Sequence, residues 1–179
     1  MWTSLIGFMG SGKSTVARLL CQSTGRPLAV SDVLVATAAG RSIADVFAQD
    51  GQEAFRSLEK EVLAGLDPGR NLVVDAGGGV VESPELVAML RSRGVVIWLD
   101  TPWTILRERL DTGTGDPGRP LVEDLGWEEL EQLHRRRRRL YAGAADFRLR
   151  AAGEPAAELV RTASLRSLLW QRRRNAGGP

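Results

Sequence analysis

Residues 7–14 have the sequence Gly-Phe-Met-Gly-Ser-Gly-Lys-Ser, which matches the phosphate-loop pattern G-x-x-x-x-G-K-[ST] at every fixed position. An apolar segment precedes this loop and a helical pattern follows it, which is the setting that the pattern requires. Glycines let backbone N–H groups approach a phosphate closely, and the start of a helix adds its positive dipole end. The expected ATP-binding residues are Gly10, Ser11, Gly12, Lys13, Ser14 and Thr15.

Within this loop, Lys13 is expected at the β- and γ-phosphates of ATP, and the Ser14 hydroxyl is expected on Mg²⁺. The loop does not identify the acceptor of the phosphoryl group. ATPases, GTPases, nucleotide kinases and metabolite kinases all use it.

Short apolar runs alternate with longer amphipathic segments along the chain. The predicted strands are Ser4–Phe8, Leu28–Ser31, Leu72–Ala76, Val95–Asp100 and Phe147–Arg150. The predicted helices are Lys13–Thr24, Gln52–Leu66, Ser83–Arg93, Pro102–Leu110, Trp127–Ala142 and Pro155–Arg172. This alternation predicts a three-layer α/β fold, in which helices cover both faces of a parallel sheet and ligands bind beyond the C-terminal ends of the strands.

Length and composition fit one globular domain, residues 1–179, because 43% of the residues are apolar and 26% are charged. No apolar run approaches the roughly 20 residues that a membrane-spanning helix needs, and no signal peptide is expected. The single cysteine, Cys21, excludes an intrachain disulfide and favours a reducing compartment. We therefore expect a cytoplasmic protein with no membrane partner, and we expect a monomer.

Two segments interrupt the alternation of strands and helices. Residues 111–124 are rich in Gly, Pro, Asp and Thr, and a loop of this length in a compact domain is typically a lid or a binding loop. We expect a lid that closes over the reacting groups and excludes water, with a plain flexible loop as the alternative. At the other end, residues 173–179 are predicted to be a frayed tail.

Four segments, in this order and spacing, resemble the shikimate kinase family over nearly the whole chain. They are the phosphate loop in its Gly-Phe-Met-Gly form, Gly40–Phe47 followed by Phe55-Arg56-x-x-Glu59, the run Gly77-Gly78-Gly79 after a strand, and Arg119-Pro120-Leu121 in the long loop. The resemblance implies a five-stranded parallel sheet of the nucleoside-monophosphate-kinase type. It also implies phosphoryl transfer from ATP to shikimate, a step of aromatic amino acid biosynthesis.

The same resemblance implies roles for individual residues. Asp32 would bind the acceptor hydroxyls and act as the catalytic base, in an acceptor-binding region of about residues 32–62. Arg56 and Arg137 would bind the substrate carboxylate, and Gly78 and Gly79 would contact the substrate through their backbone. Lys13 would contact the phosphates of ATP, and Arg119 would reach them when the lid closes. Arg109 would lie near the adenine.

Arg56 also fits a carboxylate site on physical grounds. A site for a carboxylated substrate needs strong hydrogen-bond donors, and arginine presents two parallel donors to a carboxylate. Glu59 follows three residues later on the same predicted helix and can orient the guanidinium through an ion pair. An ordinary pair of charges on the helix surface is the alternative.

Arg137 belongs to a run of five arginines, Arg135–Arg139. An apolar stripe is predicted on this helix, formed by Leu130, Leu133, Leu140 and Tyr141. Arg137 falls on the same stripe, so its charge is expected to point inward, where it needs an anionic partner. The other arginines are interpreted as a solvated face, with RNA binding as an alternative.

Asp32 follows a predicted strand at the ligand-binding edge of the sheet. In phosphoryl transfer the protein mainly positions groups and neutralises charge, so a carboxylate that accepts the acceptor's proton needs contact more than a raised pKa. We favour this catalytic role over the alternative that Asp32 caps a helix.

One departure from the family concerns magnesium. Most shikimate kinases have Asp-x-Asp at the end of the second strand, whereas this chain has Val30-Ser31-Asp32. The missing carboxylate helps to hold the metal through water in the family. Our hypothesis is that Asp75, at the end of another predicted strand, takes over this role, and the alternative is that Asp75 caps the following glycine turn.

A second departure concerns the adenine loop, where only Pro155 of the family pattern is kept. Base preference is therefore less secure than phosphate binding. The functions that stay open are a kinase of another cyclitol or polyol acid, which the Val30 change favours, and a non-catalytic nucleotide-binding regulator. A gluconate kinase is disfavoured, because its acceptor-side signature is absent and Gly40–Phe47 is present.

Overall fold

A computed structural model describes residues 1–112 and 125–177. The strands are β1 Trp2–Ile6, β2 Leu28–Val30, β3 Val73–Asp75, β4 Gly94–Asp100 and β5 Phe147–Arg150. The helices are α1 Lys13–Thr24, α2 Ser31–Ala39, α3 Ile43–Ala64, α4 Pro84–Arg93, α5 Trp103–Asp111, α6 Trp127–Ala144 and α7 Ala156–Asn175. A short 3₁₀-helix occupies Val80–Glu82. In the described part of the chain no helix is long and apolar enough to cross a membrane.

All five strands form one parallel sheet in the order β2-β3-β1-β4-β5. Alternate side chains along the central strands enter two different cores, as the two-residue period of a strand requires. Leu5 and Ile97 pack against α1 and α7, whereas Ile6 and Trp98 belong to the core that includes residues of α4 and α6. The prediction of a three-layer α/β fold with a five-stranded parallel sheet is therefore confirmed.

The strand register brings three chain segments together at one edge of the sheet. Asp75 lies opposite Leu5 of β1 on one side and opposite Val30 of β2 on the other. The three segments that follow these strands are the phosphate loop, the start of α2 and the glycine turn, and they meet beyond the C-terminal ends of the strands. This is the edge where parallel sheets bind ligands.

The helix α2 is absent from the sequence-based prediction. Its residues Val33, Val35 and Thr37 are β-branched, and such residues have low intrinsic helix propensity. The tertiary structure overrides this preference, because Val35 is fully buried in a small core with Val46 and Phe55 of α3.

The helix α3 begins nine residues before its predicted start. Ser42 and Asp45 form a capping box there, since each side chain bonds the other residue's backbone N–H. Gly51 then interrupts the helix with a φ of 82°, so the predicted segment from Gln52 corresponds to its second part. Together α2 and α3 occupy the region predicted for acceptor binding.

Other boundaries moved by fewer residues. The last helix runs to Asn175, so the first three residues of the predicted frayed tail are helical. Its last turn carries Arg172, Arg173 and Arg174, and basic residues stabilise the negative end of a helix dipole. Asp111, the first residue of the predicted lid, is the last residue of α5, and the lid beyond Thr112 lies outside the described residues up to position 124.

His134 is the only histidine in the sequence, and it is buried in the contact between α6 and the rest of the domain. Its ring packs edge-on against Phe8 at 5.2 Å between ring centroids and stacks on Trp103 at 5.7 Å. Burial lowers the pKa of His134, and the positive charge of Arg138 lowers it further. The unfolded chain therefore takes up a proton on this residue more readily than the folded protein does.

We expect a His134→Phe variant to lose less stability on acidification than the native protein. A histidine with a depressed folded pKa contributes stability above its ordinary pKa of about 6.5, and this contribution is lost as the pH falls toward the folded pKa. Phenylalanine keeps the ring packing and cannot titrate. The test is thermal unfolding between pH 7.5 and pH 5.5, and equal losses of Tm in the two proteins would contradict it.

Candidate active site

The phosphate loop connects β1 to α1, and two of its glycines have backbone angles that other residues rarely adopt. The φ angle is 76° at Gly10 and 90° at Gly12. These angles let the backbone of the loop turn sharply before α1 begins at Lys13. The side chain of Lys13 is buried, and its Nζ donates a hydrogen bond to the carbonyl oxygen of Phe8 at 3.2 Å.

Arg109 lies against this loop from α5. Its Nη1 donates a hydrogen bond to the carbonyl oxygen of Gly10 at 3.0 Å. The guanidinium is thereby placed beside the predicted phosphate-binding residues, at the end of α5 that leads into the predicted lid. Arg119 itself lies outside the described residues.

The glycine turn, residues 77–79, lies between the phosphate loop and the helices of the acceptor side. The backbone N–H of Gly77 donates to Ser31 Oγ at 2.7 Å, which ties the turn to the start of α2. Tyr141 Oη donates to the carbonyl oxygen of Gly78 at 2.5 Å, which ties it to α6. A Cβ atom at Gly78 would lie 3.5 Å from the carbonyl oxygen of Gly7, so the turn also borders the phosphate loop.

Arg56 and Arg137 converge above Gly79. A Cβ atom on Gly79 would overlap Nη2 of Arg56 and would lie 3.1 Å from Nη2 of Arg137. Only a residue without a side chain lets both guanidinium groups come this close to the turn. The structure thus brings together three residues that the sequence analysis assigned to substrate binding.

The predicted ion pair between Arg56 and Glu59 is present. Glu59 is fully buried, so the alternative of an ordinary surface pair is wrong. Burial raises the pKa of Glu59, and the charge of Arg56 opposes this shift. The carboxylate of Glu59 holds Nη1 of Arg56, which leaves the rest of the guanidinium directed toward the turn.

Arg137 is buried, as its place on the apolar stripe predicted. The stripe itself was partly wrong, because Leu140 is 40% exposed and buried His134 takes a place on that face. The neighbouring Arg138 donates two hydrogen bonds of 3.0 Å to Asp100 at the end of β4, which anchors α6 to the sheet. This anchor helps to fix where Arg137 points.

Glu82 lies at both Arg56 and Arg137, and the sequence analysis missed it. It ends the 3₁₀-helix after the glycine turn, and its Oε2 lies 2.7 Å from Nη2 of Arg137 and 3.9 Å from Nη2 of Arg56. Its Oε1 lies 2.6 Å from Nη2 of Arg136. Burial tends to raise the pKa of Glu82, but hydrogen bonds and charges from Arg137 and Arg136 lower it below its usual value. The signal in the sequence was an acidic residue three positions after the last glycine.

Asp32 lies in the first turn of α2, near the glycine turn. Its Oδ1 would be 2.9 Å from a Cβ atom at Gly77. The N-cap of α2 is Val30, so the alternative that Asp32 itself caps the helix is wrong. On the neighbouring strand Asp75 is buried beside Val30 in the sheet, and the Gly77 N–H bonds Ser31 rather than Asp75.

Together, the sheet order, the phosphate loop and the two arginines that converge on the glycine turn define a phosphate-loop kinase of the nucleoside-monophosphate-kinase type. A family profile described as Shikimate kinase matches residues 9–166. The chain belongs to the shikimate kinase family.

Individual relatives agree with this assignment. A shikimate kinase from Synechococcus sp. strain RCC307 is 44% identical over 158 residues, which cover 87% of this chain and 78% of that protein. One from Persephonella marina is 37% identical, with 87% and 92% covered. Among solved structures, the shikimate kinase from Aquifex aeolicus is 34% identical with a TM-score of 0.75, and all of both chains is covered.

A second solved structure is a shikimate kinase from Acinetobacter baumannii in complex with shikimate. It is 27% identical, with a TM-score of 0.81, and the alignment covers 96% of this chain and 94% of that one. A gluconokinase from Sinorhizobium meliloti is 18% identical with a TM-score of 0.58, and this likeness shows the fold alone. The expected family and enzyme class are confirmed.

We expect Gly79→Ala to weaken shikimate binding without unfolding the protein. The φ of −96° at Gly79 suits any residue, so the backbone is not strained, but the added methyl group would displace the Arg56 guanidinium. The KM for shikimate should rise by about 10-fold or more, because a charged hydrogen bond contributes about 1.5–3 kcal/mol. Steady-state kinetics would show this.

The matched control is Gly143→Ala on α6, where a Cβ atom meets nothing within 4 Å. That variant should keep the native KM for shikimate, and both variants should keep the native KM for ATP. Native shikimate binding by Gly79→Ala would contradict the convergence of the two arginines on this turn.

Proposed function

We propose that this chain transfers the γ-phosphoryl group of ATP to a hydroxyl of shikimate, with the substrate carboxylate held between Arg56 and Arg137. The observation that carries the proposal is the convergence of these two guanidinium groups above Gly79, beside a turn that borders the phosphate loop. An acceptor that is held there by its carboxylate would extend its ring toward the phosphate loop. Gly78 and Gly79 would then contact the ring through their backbone.

Asp32 is the proposed catalytic base. Its carboxylate lies on the same side of the glycine turn as Glu59, in the direction of α2 rather than α6. A hydroxyl of the bound acceptor would donate its hydrogen bond to Asp32. As its oxygen bonds the γ-phosphorus, the bond from that phosphorus to the bridging oxygen of ADP breaks, ADP leaves, and the hydroxyl proton passes to Asp32. Because the transition state is loose, Asp32 mainly orients the hydroxyl and accepts the proton late.

ATP is proposed to bind with its phosphates in the loop. The backbone N–H groups of residues 10–15 and the start of α1 would hold the phosphate oxygens, and Lys13 would neutralise the transferred group. Lys13 now bonds the carbonyl oxygen of Phe8, so it already points back over the loop. Arg109 would lie near the adenine, and Arg119 would reach the phosphates when the lid closes.

Magnesium is proposed to accompany ATP, and the residues around the loop suit it because they offer oxygen donors. The Ser14 hydroxyl stands at the first turn of α1, and the Asp75 carboxylate ends β3 beside β1. The ion would draw charge from the phosphate oxygens. Val30 stands at the position of the family aspartate, and it pairs directly with Asp75 on the adjacent strand. This register supports the proposal that Asp75 takes over the magnesium role of that aspartate.

Several broader properties belong to the same proposal. The enzyme acts in the cytoplasm as a single domain and a monomer, without a membrane partner. RNA binding is disfavoured, because four arginines of the run pair with acidic side chains of the protein. These ion pairs neutralise much of the charge that an RNA backbone would require.

The main test is the release of ADP with ATP, Mg²⁺ and a panel of shikimate, quinate, gluconate and cyclitols. We expect shikimate-dependent turnover that Asp32→Asn abolishes. Arg137→Ala should raise the KM for shikimate by about 10- to 100-fold, since it removes a charged donor from the carboxylate. Arg139→Ala is the matched control, because Arg139 is an exposed residue of the same helix.

Robust turnover with a neutral cyclitol and none with shikimate would overturn the proposed substrate. ATP binding without turnover of any acceptor would instead indicate a nucleotide-binding regulator.

The magnesium proposal has a separate test. Asp75→Ala should raise the Mg²⁺ concentration needed for half-maximal rate by about 10-fold, as is typical when a residue that supports a metal is removed. Adding Val30→Asp to that variant should restore the native Mg²⁺ dependence, because the new carboxylate stands on the adjacent strand. Thermal unfolding would check that each variant folds. An unchanged Mg²⁺ dependence in Asp75→Ala would show that this carboxylate plays no part.

A further inference from the structure

A carboxylate of the protein itself lies at the two arginines above Gly79. Oε2 of Glu82 approaches Nη2 of Arg137 at 2.7 Å and Nη2 of Arg56 at 3.9 Å. These are the two guanidinium groups that are proposed to hold the substrate carboxylate, so the inference rests on the proposed function. An anionic oxygen of the protein thus already lies where an anionic oxygen of the substrate would be drawn.

Both guanidinium groups are paired without a substrate. Two buried or half-buried arginines, Arg56 and Arg137, face two carboxylates, Glu59 and Glu82. A carboxylate that enters from solution would therefore approach guanidinium groups that are already paired, and it would meet Glu82 at Arg137. Anions that share a poorly hydrated pocket repel one another strongly, so one of the protein's own carboxylates must withdraw for the acid to bind well.

Of these two carboxylates, Glu82 is the one that can move away from the arginines. Glu59 is fully buried and holds Arg56 from behind, whereas the side chain of Glu82 is 15% exposed. The second oxygen of Glu82 is already paired with Arg136, whose side chain is 66% exposed. Glu82 can therefore turn outward and keep one ion pair at the rim of the pocket.

The guanidinium groups can also bond a substrate better than they bond Glu82. Nε of Arg56 and Nε of Arg137 are buried, and within residues 1–112 and 125–177 neither has a hydrogen-bond partner. Glu82 uses only Nη2 of Arg137. A free carboxylate can take the Nε and Nη2 donors of a guanidinium together, and this paired geometry is stronger than a single contact.

We propose that Glu82 is an internal competitor of the substrate: it neutralises Arg137 and Arg56 in the free enzyme, and the carboxylate of shikimate displaces it toward Arg136. Glu82 thereby gives the buried Arg137 a charged partner in the free enzyme, whereas Arg56 also has Glu59. It also makes the site selective, because a neutral polyol cannot displace a bound carboxylate. Glu82 is a specificity-determining residue rather than a catalytic one, since it leaves the site when substrate binds.

The first test is Glu82→Gln, which keeps the size of the side chain and removes its charge. We expect the KM for shikimate to fall by about 3- to 10-fold, which corresponds to about 0.7–1.4 kcal/mol, with kcat and the KM for ATP essentially unchanged. Calorimetric titration of shikimate without nucleotide should show the same gain in affinity. Glu85→Gln is the matched control, because Glu85 is an exposed acid three residues later that pairs with Lys60.

The second test uses the surface residue Arg136, whose replacement should not affect folding. Arg136→Gln removes the outer partner of Glu82, so the KM for shikimate should rise by about 3-fold or more. In the double variant with Glu82→Gln this rise should disappear, because no charged side chain remains to be displaced. Arg135→Gln is the control, since Arg135 pairs with Glu131 instead.

A shikimate KM that is unchanged or higher in Glu82→Gln would overturn the inference. An equal rise of the KM in Arg136→Gln with and without Glu82 would overturn it as well. The two proposals fail differently. If Arg137→Ala leaves the shikimate KM unchanged, the proposed carboxylate site is wrong, whereas a strong Arg137→Ala effect without a Glu82→Gln effect refutes only the competitor.

Discussion

The parallel pairing of β1 with β3 is the constraint on which the site depends. It sets the phosphate loop after Ile6 beside the glycine turn after Asp75, although about 70 residues of chain separate them. The adjacent pairing of β3 with β2 then adds the start of α2, with Asp32 in its first turn. The segments that are proposed to bind nucleotide and acceptor are thereby brought to one edge of the sheet by the pairing of the strands.

The two arginines that are proposed to bind the substrate carboxylate lie in a largely buried part of the protein, where a guanidinium group needs a charged partner. Removing one partner of a buried ion pair typically costs about 3–5 kcal/mol, because it leaves a charge without compensation. The described residues meet this constraint with Glu59 behind Arg56 and with Glu82 between Arg56 and Arg137. Hydrogen bonds from Arg138 to Asp100 and from Tyr141 to Gly78 fix α6, so that Arg137 meets the turn.

Membership of the shikimate kinase family agrees with this arrangement and also makes one local difference informative. Val30 stands where most members of the family have an aspartate, and it pairs with Asp75 on the adjacent strand β3. A carboxylate on either strand projects from the same edge near the phosphate loop. In the proposed magnesium site, Asp75 thus supplies from β3 the carboxylate that Val30 lacks on β2.

The sequence by itself determined the phosphate loop, the alternation of strands and helices and the parallel sheet, because each follows from a local pattern or period. It also indicated that Arg137 points inward, since helical periodicity places it on an apolar face. Only the tertiary structure decided that α2 is a helix. The burial of Val35 against α3 stabilises this helix, although valine has a low intrinsic helix propensity. The tertiary structure also decided the contacts of Glu82. Arg56 and Arg137 lie 26 and 55 residues away in the sequence and approach Glu82 only in the folded chain.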